Sequence, residues 1–166
     1  MKILIAYSSN TGTAENCVKH LSSQISNHNV FTVDLSQNRP DVSEFDAVII
    51  GGSIRMGSLD KKVYSFISEN RSKLLNMKTA YFICNAINAE TDKYFKKCFP
   101  ADVIENAVIY DTFGGELKLD KQKGIDKLLL KLFLKANEEN EDFAMPGILT
   151  EAINRFAETI KIKFME

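Results

Sequence analysis

Neither sign of charge predominates in this chain, which also lacks long apolar runs and has few cysteines. Its 166 residues carry a formal net charge of −1, so no positive field attracts nucleic acid and no nucleic-acid partner is predicted. No apolar stretch reaches the roughly 18 residues of a membrane-spanning helix, and no signal-peptide pattern precedes the first apolar run, so a cytoplasmic location is expected. Cys17, Cys84 and Cys98 lack the spacing of metal ligands, which predicts buried, reduced thiols and no metal.

A loop without lysine or arginine follows the first apolar run. Residues 1–6 are predicted to form a buried strand, and residues 15–27 carry apolar residues at helical spacing. The loop between them, Tyr7-Ser8-Ser9-Asn10-Thr11-Gly12-Thr13-Ala14, is rich in hydroxyl groups. The missing lysine excludes the loop of nucleotide triphosphatases, and the missing G-x-G-x-x-G spacing excludes a dinucleotide loop. Uncharged hydroxyls at a helix N-terminus suit one terminal phosphate monoester.

A simpler interpretation of the same loop stays open. Ser, Thr and Asn are the usual N-cap residues of helices, so the loop is also compatible with a capped turn that binds nothing. Four hydroxyls and a glycine exceed what one cap requires. A second element of the site is needed to decide between the two interpretations.

Strands alternate with helices along one domain that spans residues 1–166. Strands are predicted over residues 1–6, 30–35, 45–50, 79–84 and 107–112, and helices over residues 15–27, 59–75, 90–99, 125–135 and 148–162. This alternation is typical of an α/β protein with a parallel sheet wound on both faces. Ligands of such sheets bind beyond the carboxyl ends of the strands, so the loops after strands one, three and four are expected to carry unusual residues.

Both later loops meet that expectation. The segment Gly51-Gly52-Ser53-Ile54-Arg55-Met56-Gly57 holds three glycines in seven positions, which suggests backbone lying against a flat ligand. The segment Asn85-Ala86-Ile87-Asn88-Ala89 offers two amide side chains that can bond a polar edge of such a ligand.

A late helix near residues 123–135 is the most apolar helix of the chain. Its lysines recur every fourth residue, at Lys123, Lys127, Lys131 and Lys135. One interpretation buries the helix against the body, with the lysine stems covering apolar surface. The other makes it a basic amphipathic helix that rests on an anionic membrane or forms part of a substrate lid. The two agree if one apolar flank packs and the other binds.

The hydroxyl-rich loop resembles the phosphate loop of the flavodoxin family, Ser/Thr-x-Thr-Gly-x-Thr, read here as Ser9-Asn10-Thr11-Gly12-Thr13-Ala14. Ala14 stands where the family has its last hydroxyl. The resemblance implies a flavodoxin-like, doubly wound five-stranded sheet of order 2-1-3-4-5, a helical insert at about residues 116–146 before the last helix, and flavin mononucleotide (FMN) as the cofactor. The cofactor-binding residues implied are Ser8, Ser9, Asn10, Thr11, Gly12, Thr13, Ala14, Ser53, Ile54, Arg55, Met56, Gly57, Asn85, Ala86, Ile87 and Asn88.

Three further segments resemble one branch of that family, the flavodoxin-type protoporphyrinogen dehydrogenases that use menaquinone. They are residues 51–57, 115–117 and 125–131. The resemblance implies two-electron oxidation of protoporphyrinogen IX in heme biosynthesis, with electrons passed to a quinone and peripheral contact with the inner face of the membrane through the late helix. Arg55 is then a candidate for pairing with a substrate propionate or the flavin, or for bonding loop carbonyls. Because the flavin carries the redox chemistry, no catalytic acid or base is predicted.

Two alternatives remain beside this enzyme. One is a flavodoxin that carries electrons between redox proteins, although many such carriers are markedly acidic and this chain is nearly neutral. The other is a domain that keeps the fold without the flavin. Two departures from the family keep this alternative open, namely Ala14 and the absence of the aromatic residue that the family usually carries after strand four.

Overall fold

Five parallel strands form the centre of the molecule in the order β2-β1-β3-β5-β6, and the short β4 pairs with the end of β3. The computed structural model of the protein describes residues 1–86, 91–121, 124–138 and 146–166. The strands are β1 (Lys2–Ser8), β2 (Asn29–Asp34), β3 (Ala47–Arg55), β4 (Ser58–Leu59), β5 (Lys78–Cys84) and β6 (Ile109–Thr112). The helices are α1 (Thr13–Gln24), α2 (Lys61–Leu74), α3 (Thr91–Cys98), α4 (Ala101–Glu105), α5 (Gly124–Ala136) and α6 (Thr150–Lys163).

The central strands are apolar on both faces because helices cover the sheet from both sides. Along β1, Ile3 and Ile5 belong to the core cluster that α1 and α6 complete, whereas Leu4 and Ala6 belong to the cluster that α2 and α3 complete. Within β3, Val48 and Ile49 divide in the same way. The predicted α/β architecture is thereby confirmed, and the predicted order 2-1-3-4-5 is the observed order when the short β4 is left out of the count.

Two short elements were absent from the sequence prediction. The strand β4 has two residues and the helix α4 has five, so neither is long enough to show a periodic pattern. Pro100 ends the predicted helix as expected but also caps the start of α4, where the missing N–H of a proline costs nothing.

The predicted role of Gly51 and Gly52 is wrong. Both lie inside β3, which continues to Arg55 rather than ending at Ile50, and both are buried. A Cβ atom on Gly51 would overlap the ring of Phe82, and one on Gly52 would come within 2.8 Å of Val63 Cγ2. These glycines therefore allow close packing within the sheet and against α2, and they do not lie against a flat ligand.

Among the helices of the described residues, none is long and apolar enough to cross a bilayer. The late helix α5 has thirteen residues, which is long enough for it to present two different faces.

Replacing Gly51 with Ala should lower the free energy of unfolding by about 1–3 kcal/mol, because the added methyl group overpacks the core against Phe82. Urea denaturation followed by far-UV circular dichroism measures the change. Gly147→Ala is the control, since a Cβ there meets no atom within 4 Å, and its effect should stay within about 0.5 kcal/mol. Equal stabilities of the two variants would contradict the packing role of Gly51.

Candidate site at the carboxyl end of the sheet

The turn between β1 and α1 opens a helix N-terminus toward the carboxyl end of the sheet. Gly12 has φ +84°, a left-handed conformation that a glycine adopts without steric cost, and its N-cap position offers no side-chain cap. Ser9 supplies the cap instead, because its Oγ accepts a hydrogen bond from the Glu15 N–H at 3.2 Å. Ser9 thus fulfils the capping interpretation of the loop, and its own hydroxyl proton is still left to donate.

Other hydroxyls of this loop exceed what capping uses. Ser8 is 1% exposed, and its Oγ has no hydrogen-bond partner among the described residues. A buried hydroxyl without a partner is costly unless water or a ligand satisfies it.

Asn10 anchors the loop from the other side, since its Nδ2 donates to Asp60 Oδ2 at 2.9 Å at the start of α2.

A small polar cavity of about 100 Å³ lies beside the loop. It collects residues that lie at or just beyond the carboxyl ends of β1, β3, β5 and β6, which is where doubly wound sheets bind ligands. Its lining consists of Asn10, Thr11, Thr13, Ser53, Ile54, Arg55, Cys84, Ala86, Gly115, Glu116 and Leu117. Loops that are far apart in the chain therefore meet at one site.

Glu116 is the unexpected member of this cavity. Its Oε2 accepts a hydrogen bond from Thr13 Oγ1 at 3.2 Å, and the ammonium of Lys118 lies 2.8 Å from the same oxygen. Neither Glu116 nor Lys118 was predicted from the sequence to be a site residue. The signal available was their position after the last strand of the sheet, at the edge where the other site loops end.

A tight hairpin turn forms the next part of the site. Met56 and Gly57 have φ +48° and +74° and join the antiparallel pair Arg55 and Ser58. Positive φ at both central residues is the pattern of a type I′ turn, which suits the twist of a hairpin. Gly57 adopts it readily, but Met56 carries a side chain that disfavours it, and that side chain is 79% exposed.

A larger, mainly apolar cleft of about 380 Å³ adjoins the polar cavity, with which it shares Ile54, Ala86 and Leu117. Its remaining lining residues are Met56, Gly57, Asn85, Tyr94, Leu129, Leu130, Phe133 and Pro146. The polar cavity and the apolar cleft together suit a ligand with an anionic end and a broad apolar end.

The helix α5 forms one wall of the cleft and leaves its other face open. Leu130 is its buried side chain, at 9% exposure, and Leu129 and Phe133 beside it line the cleft. Ile125, Leu128 and Leu132 lie on the side of the helix away from Leu130 and are 74%, 58% and 56% exposed. Lys131 and Lys135 are exposed as well, whereas Lys127 is partly buried and Lys123 lies outside the described residues. One face of the helix thus packs on the body, as the first interpretation predicted, whereas the membrane or lid role of the exposed face stays a prediction.

The structure brings most of the predicted site residues together. Asn10, Thr11, Thr13, Ser53, Ile54 and Arg55 line the polar cavity, and Met56, Gly57, Asn85 and Ala86 line the cleft. Ala14 is different, because its side chain is fully buried in the core under α1 and leaves only backbone to face a ligand. Ile87 and Asn88 lie outside the described residues. Tyr94 of α3 supplies an aromatic side chain to the cleft, although the sequence has no aromatic residue directly after the fourth predicted strand.

Cys84, which lines the polar cavity, forms a buried thiol pair with Cys17. The Sγ of Cys84 lies 3.8 Å from the Sγ of Cys17, and both side chains are buried. The hydrogen bond to Cys17 and the burial raise the pKa of the Cys84 thiol well above its ordinary value, so it stays protonated and unreactive at neutral pH. No group of three His, Cys, Asp or Glu residues suited to a metal ion occurs in the described part of the chain.

The parallel order β2-β1-β3-β5-β6, with a ligand-sized site at the switch point between β1 and β3, defines a flavodoxin-like α/β domain. A family model described as a flavodoxin domain matches residues 4–143. The chain therefore belongs to the flavodoxin domain family, and the family prediction from the phosphate loop is confirmed.

Relatives and solved structures agree with this assignment. The chain is 23% identical to protoporphyrinogen IX dehydrogenase (quinone) of Escherichia coli strain K12, over 96% of this chain and 94% of the relative. It is 21% identical to the protein of the same name from Leishmania major, over 94% of this chain and 73% of the relative. Oxidised flavodoxin 2 from Bacillus cereus superposes with a TM-score of 0.57 at 19% identity, covering 98% of this chain and 99% of that one.

Replacing Met56 with Asn should raise the free energy of unfolding by about 0.5–1 kcal/mol, because Asn-Gly is the favoured pair for a type I′ turn. Urea denaturation of the unliganded protein measures it. Ser58→Asn, in the neighbouring extended strand, should bring no such gain, since asparagine disfavours strands. A Met56→Asn protein no more stable than the parent would mean that the turn is not strained.

Proposed function

We propose that the protein is an FMN-dependent oxidoreductase that oxidises protoporphyrinogen IX and passes the electrons to a quinone. The observation that carries the proposal is the apolar cleft between the Met56–Gly57 turn and α5, continuous with the polar cavity at the phosphate loop. A carrier needs only the flavin site, whereas an enzyme also needs a walled space for a large apolar substrate. Relatives named as quinone-linked dehydrogenases of protoporphyrinogen IX match along nearly the whole chain, which supports the same conclusion.

The residues of the polar cavity fit a phosphate monoester. Ser9 and Thr11 can donate hydroxyl protons, Gly12 removes steric bulk, and the N-terminus of α1 adds its dipole. The unpartnered Ser8 hydroxyl is a further donor beneath the loop. In this proposal the flavin ring extends from the cavity into the cleft, along Ala86 and the Met56–Gly57 turn.

Bound flavin would supply the redox chemistry, accepting two electrons and two protons from the porphyrinogen in each turnover and passing them to the quinone, so that three turnovers would complete the oxidation to the porphyrin. The chain's own residues would bind and orient the reactants. Leu129 and Phe133 of α5 offer an apolar wall that excludes water, and Arg55 at the edge of the polar cavity offers a guanidinium for a substrate propionate. No acid or base from the protein is required by this arrangement.

The outer face of α5 fits contact with an anionic membrane. Ile125, Leu128 and Leu132 form an exposed apolar strip beside the exposed Lys131 and Lys135. A helix of this kind lies in the interface with its apolar strip among the headgroups and its lysines on anionic lipid. Because the inner face of the same helix walls the cleft, a membrane quinone would reach the site at the helix. We therefore propose peripheral action at the inner face of the membrane, in heme biosynthesis.

The alternative function is electron transfer between redox proteins. The 79% exposure of Met56 favours it, since the mouth of the cleft is then open to a docking protein as well as to a small substrate. The two functions share the flavin and differ in what α5 does, so separate experiments test them.

Replacing Thr11 with Val should weaken FMN binding at least tenfold, because a hydrogen bond to a charged phosphate contributes about 1.5–3 kcal/mol. Quenching of flavin fluorescence on titration of the apoprotein measures the Kd. Thr32→Val, on the exposed side of β2, removes the same hydroxyl far from the loop and should leave the Kd unchanged. An unaltered Kd for Thr11→Val would argue against phosphate binding at this loop.

Replacing Leu128, Lys131, Leu132 and Lys135 with Gln should abolish binding to vesicles that contain phosphatidylglycerol. The change removes two of the three apolar side chains of the strip and two positive charges worth about 1 kcal/mol each near an anionic surface. Co-sedimentation measures vesicle binding, and protoporphyrinogen-dependent menaquinone reduction in those vesicles should fall with it, while FMN binding persists.

The matched control carries Lys161→Gln and Lys163→Gln on α6, which removes the same charge from two exposed ion pairs of little energetic weight. It should bind vesicles like the parent protein. A parent protein that binds no vesicles and oxidises no porphyrinogen, yet exchanges electrons with a redox protein, would establish the carrier function instead.

A further inference from the structure

The anion-binding end of α1 already holds an anion of the chain itself. Thr13, the first residue of α1, donates its hydroxyl proton to Glu116 Oε2 at 3.2 Å. The ammonium of Lys118 lies 2.8 Å from the same oxygen, so a single carboxylate oxygen separates the loop hydroxyl from a lysine. Glu116 and Lys118 are both partly buried and both come from the segment after β6.

A carboxylate at this position competes with a phosphate for the same features. The N-terminus of a helix attracts one negative group through its dipole and its hydroxyl donors. A phosphate monoester carries about 1.5 to 2 negative charges, and a carboxylate beside it at contact distance repels it. Thr13 cannot give its one hydroxyl proton to both acceptors. The two anions therefore exclude each other at Thr13.

The backbone next to Glu116 is fixed, whereas its side chain can turn away. Gly115 packs so closely on the preceding loop that a Cβ would come within 2.7 Å of the Ala86 N. Its N–H also donates to the Gly147 carbonyl at 3.2 Å. Displacement of the carboxylate thus requires only rotation of the partly exposed Glu116 side chain, while Lys118 stays beside the cavity.

We propose that Glu116 is an internal competitor for the phosphate seat, and that Lys118 supplies the cation that the phosphate loop lacks. Phosphate entry displaces Glu116 from Thr13, and Lys118 exchanges its carboxylate partner for the phosphate. This inference rests on the proposed binding of FMN, and it makes the pair a determinant of how strongly FMN is preferred over riboflavin, which has no phosphate.

The test compares FMN and riboflavin affinities of Glu116→Gln, Lys118→Gln and the control Glu15→Gln by fluorescence titration. Glu116→Gln should tighten FMN binding at least fivefold, and Lys118→Gln should weaken it at least threefold, with riboflavin affinity unchanged within twofold in both. The control residue Glu15 lies in the first turn of α1. Like Glu116 it pairs with a lysine, here Lys19 at 2.6 Å, but its carboxylate faces solvent. Glu15→Gln should change neither affinity by more than twofold.

Two results would overturn the inference. Weaker FMN binding by Glu116→Gln would make Glu116 a ligand of the cofactor, and equal shifts for FMN and riboflavin would show that the pair does not act on the phosphate. Thermal stabilisation by inorganic phosphate separates this inference from the proposed function. If no variant binds flavin, stronger phosphate stabilisation of Glu116→Gln than of the parent sustains the competition at Thr13 while the FMN assignment fails. Equal phosphate stabilisation of Glu116→Gln and the parent, again without flavin binding, would contradict both the competition at Thr13 and the FMN assignment.

Discussion

The chain leaves the neighbouring strands β1 and β3 in opposite directions, and this divergence determines where the site of the protein lies. The helix α1 packs on the face that α6 shares, and α2 packs on the face that α3 shares. The two strands are neighbours in the sheet, so their loops separate at the carboxyl end and leave a crevice between them. The N-terminus of α1 opens into that crevice, and the turn after β3 and the loops after β5 and β6 close around it.

Local patterns were sufficient to predict the five parallel strands and the five longer helices, whereas the strand order followed from the family resemblance. Runs such as Ile3-Leu4-Ile5 and Val48-Ile49-Ile50 indicated buried parallel strands, and the structure buries them on both faces. The glycines of β3 misled the prediction, because a sequence shows that a residue is small but not which neighbour requires it. Gly51 leaves space for the Phe82 ring, which is thirty-one positions away, and of the three glycines in residues 51–57 it is Gly57 that serves a turn.

Some residues of the candidate site were visible from local sequence, whereas others come together only through the fold. The hydroxyls from Ser8 to Thr13 are adjacent in the chain, so their clustering was visible before the fold was known. Glu116 reaches Thr13 across 103 positions, and Phe133 reaches the cleft from the insert, so both depend on how the segment after β6 folds back. An acidic residue at the proposed anion site also contradicts simple charge matching, which is why composition alone gave no reason to expect it.

The insert adds a helix to the flavodoxin-like fold at the edge of the crevice without altering the order of the strands. A helix of thirteen residues is long enough to present two faces, and α5 directs Leu130 inward and Leu128 and Leu132 outward. Burying a leucine side chain is worth about 1.5–3 kcal/mol, so an outward strip of three large apolar residues is unfavourable in water and becomes favourable when a surface covers it. In the proposed function, an enzyme that receives an apolar quinone from a bilayer would gain attachment and access from the same helix, whereas a carrier would gain nothing from such a strip. The exposed lysines would then orient the helix, because they would place positive charge along the edge that meets anionic headgroups.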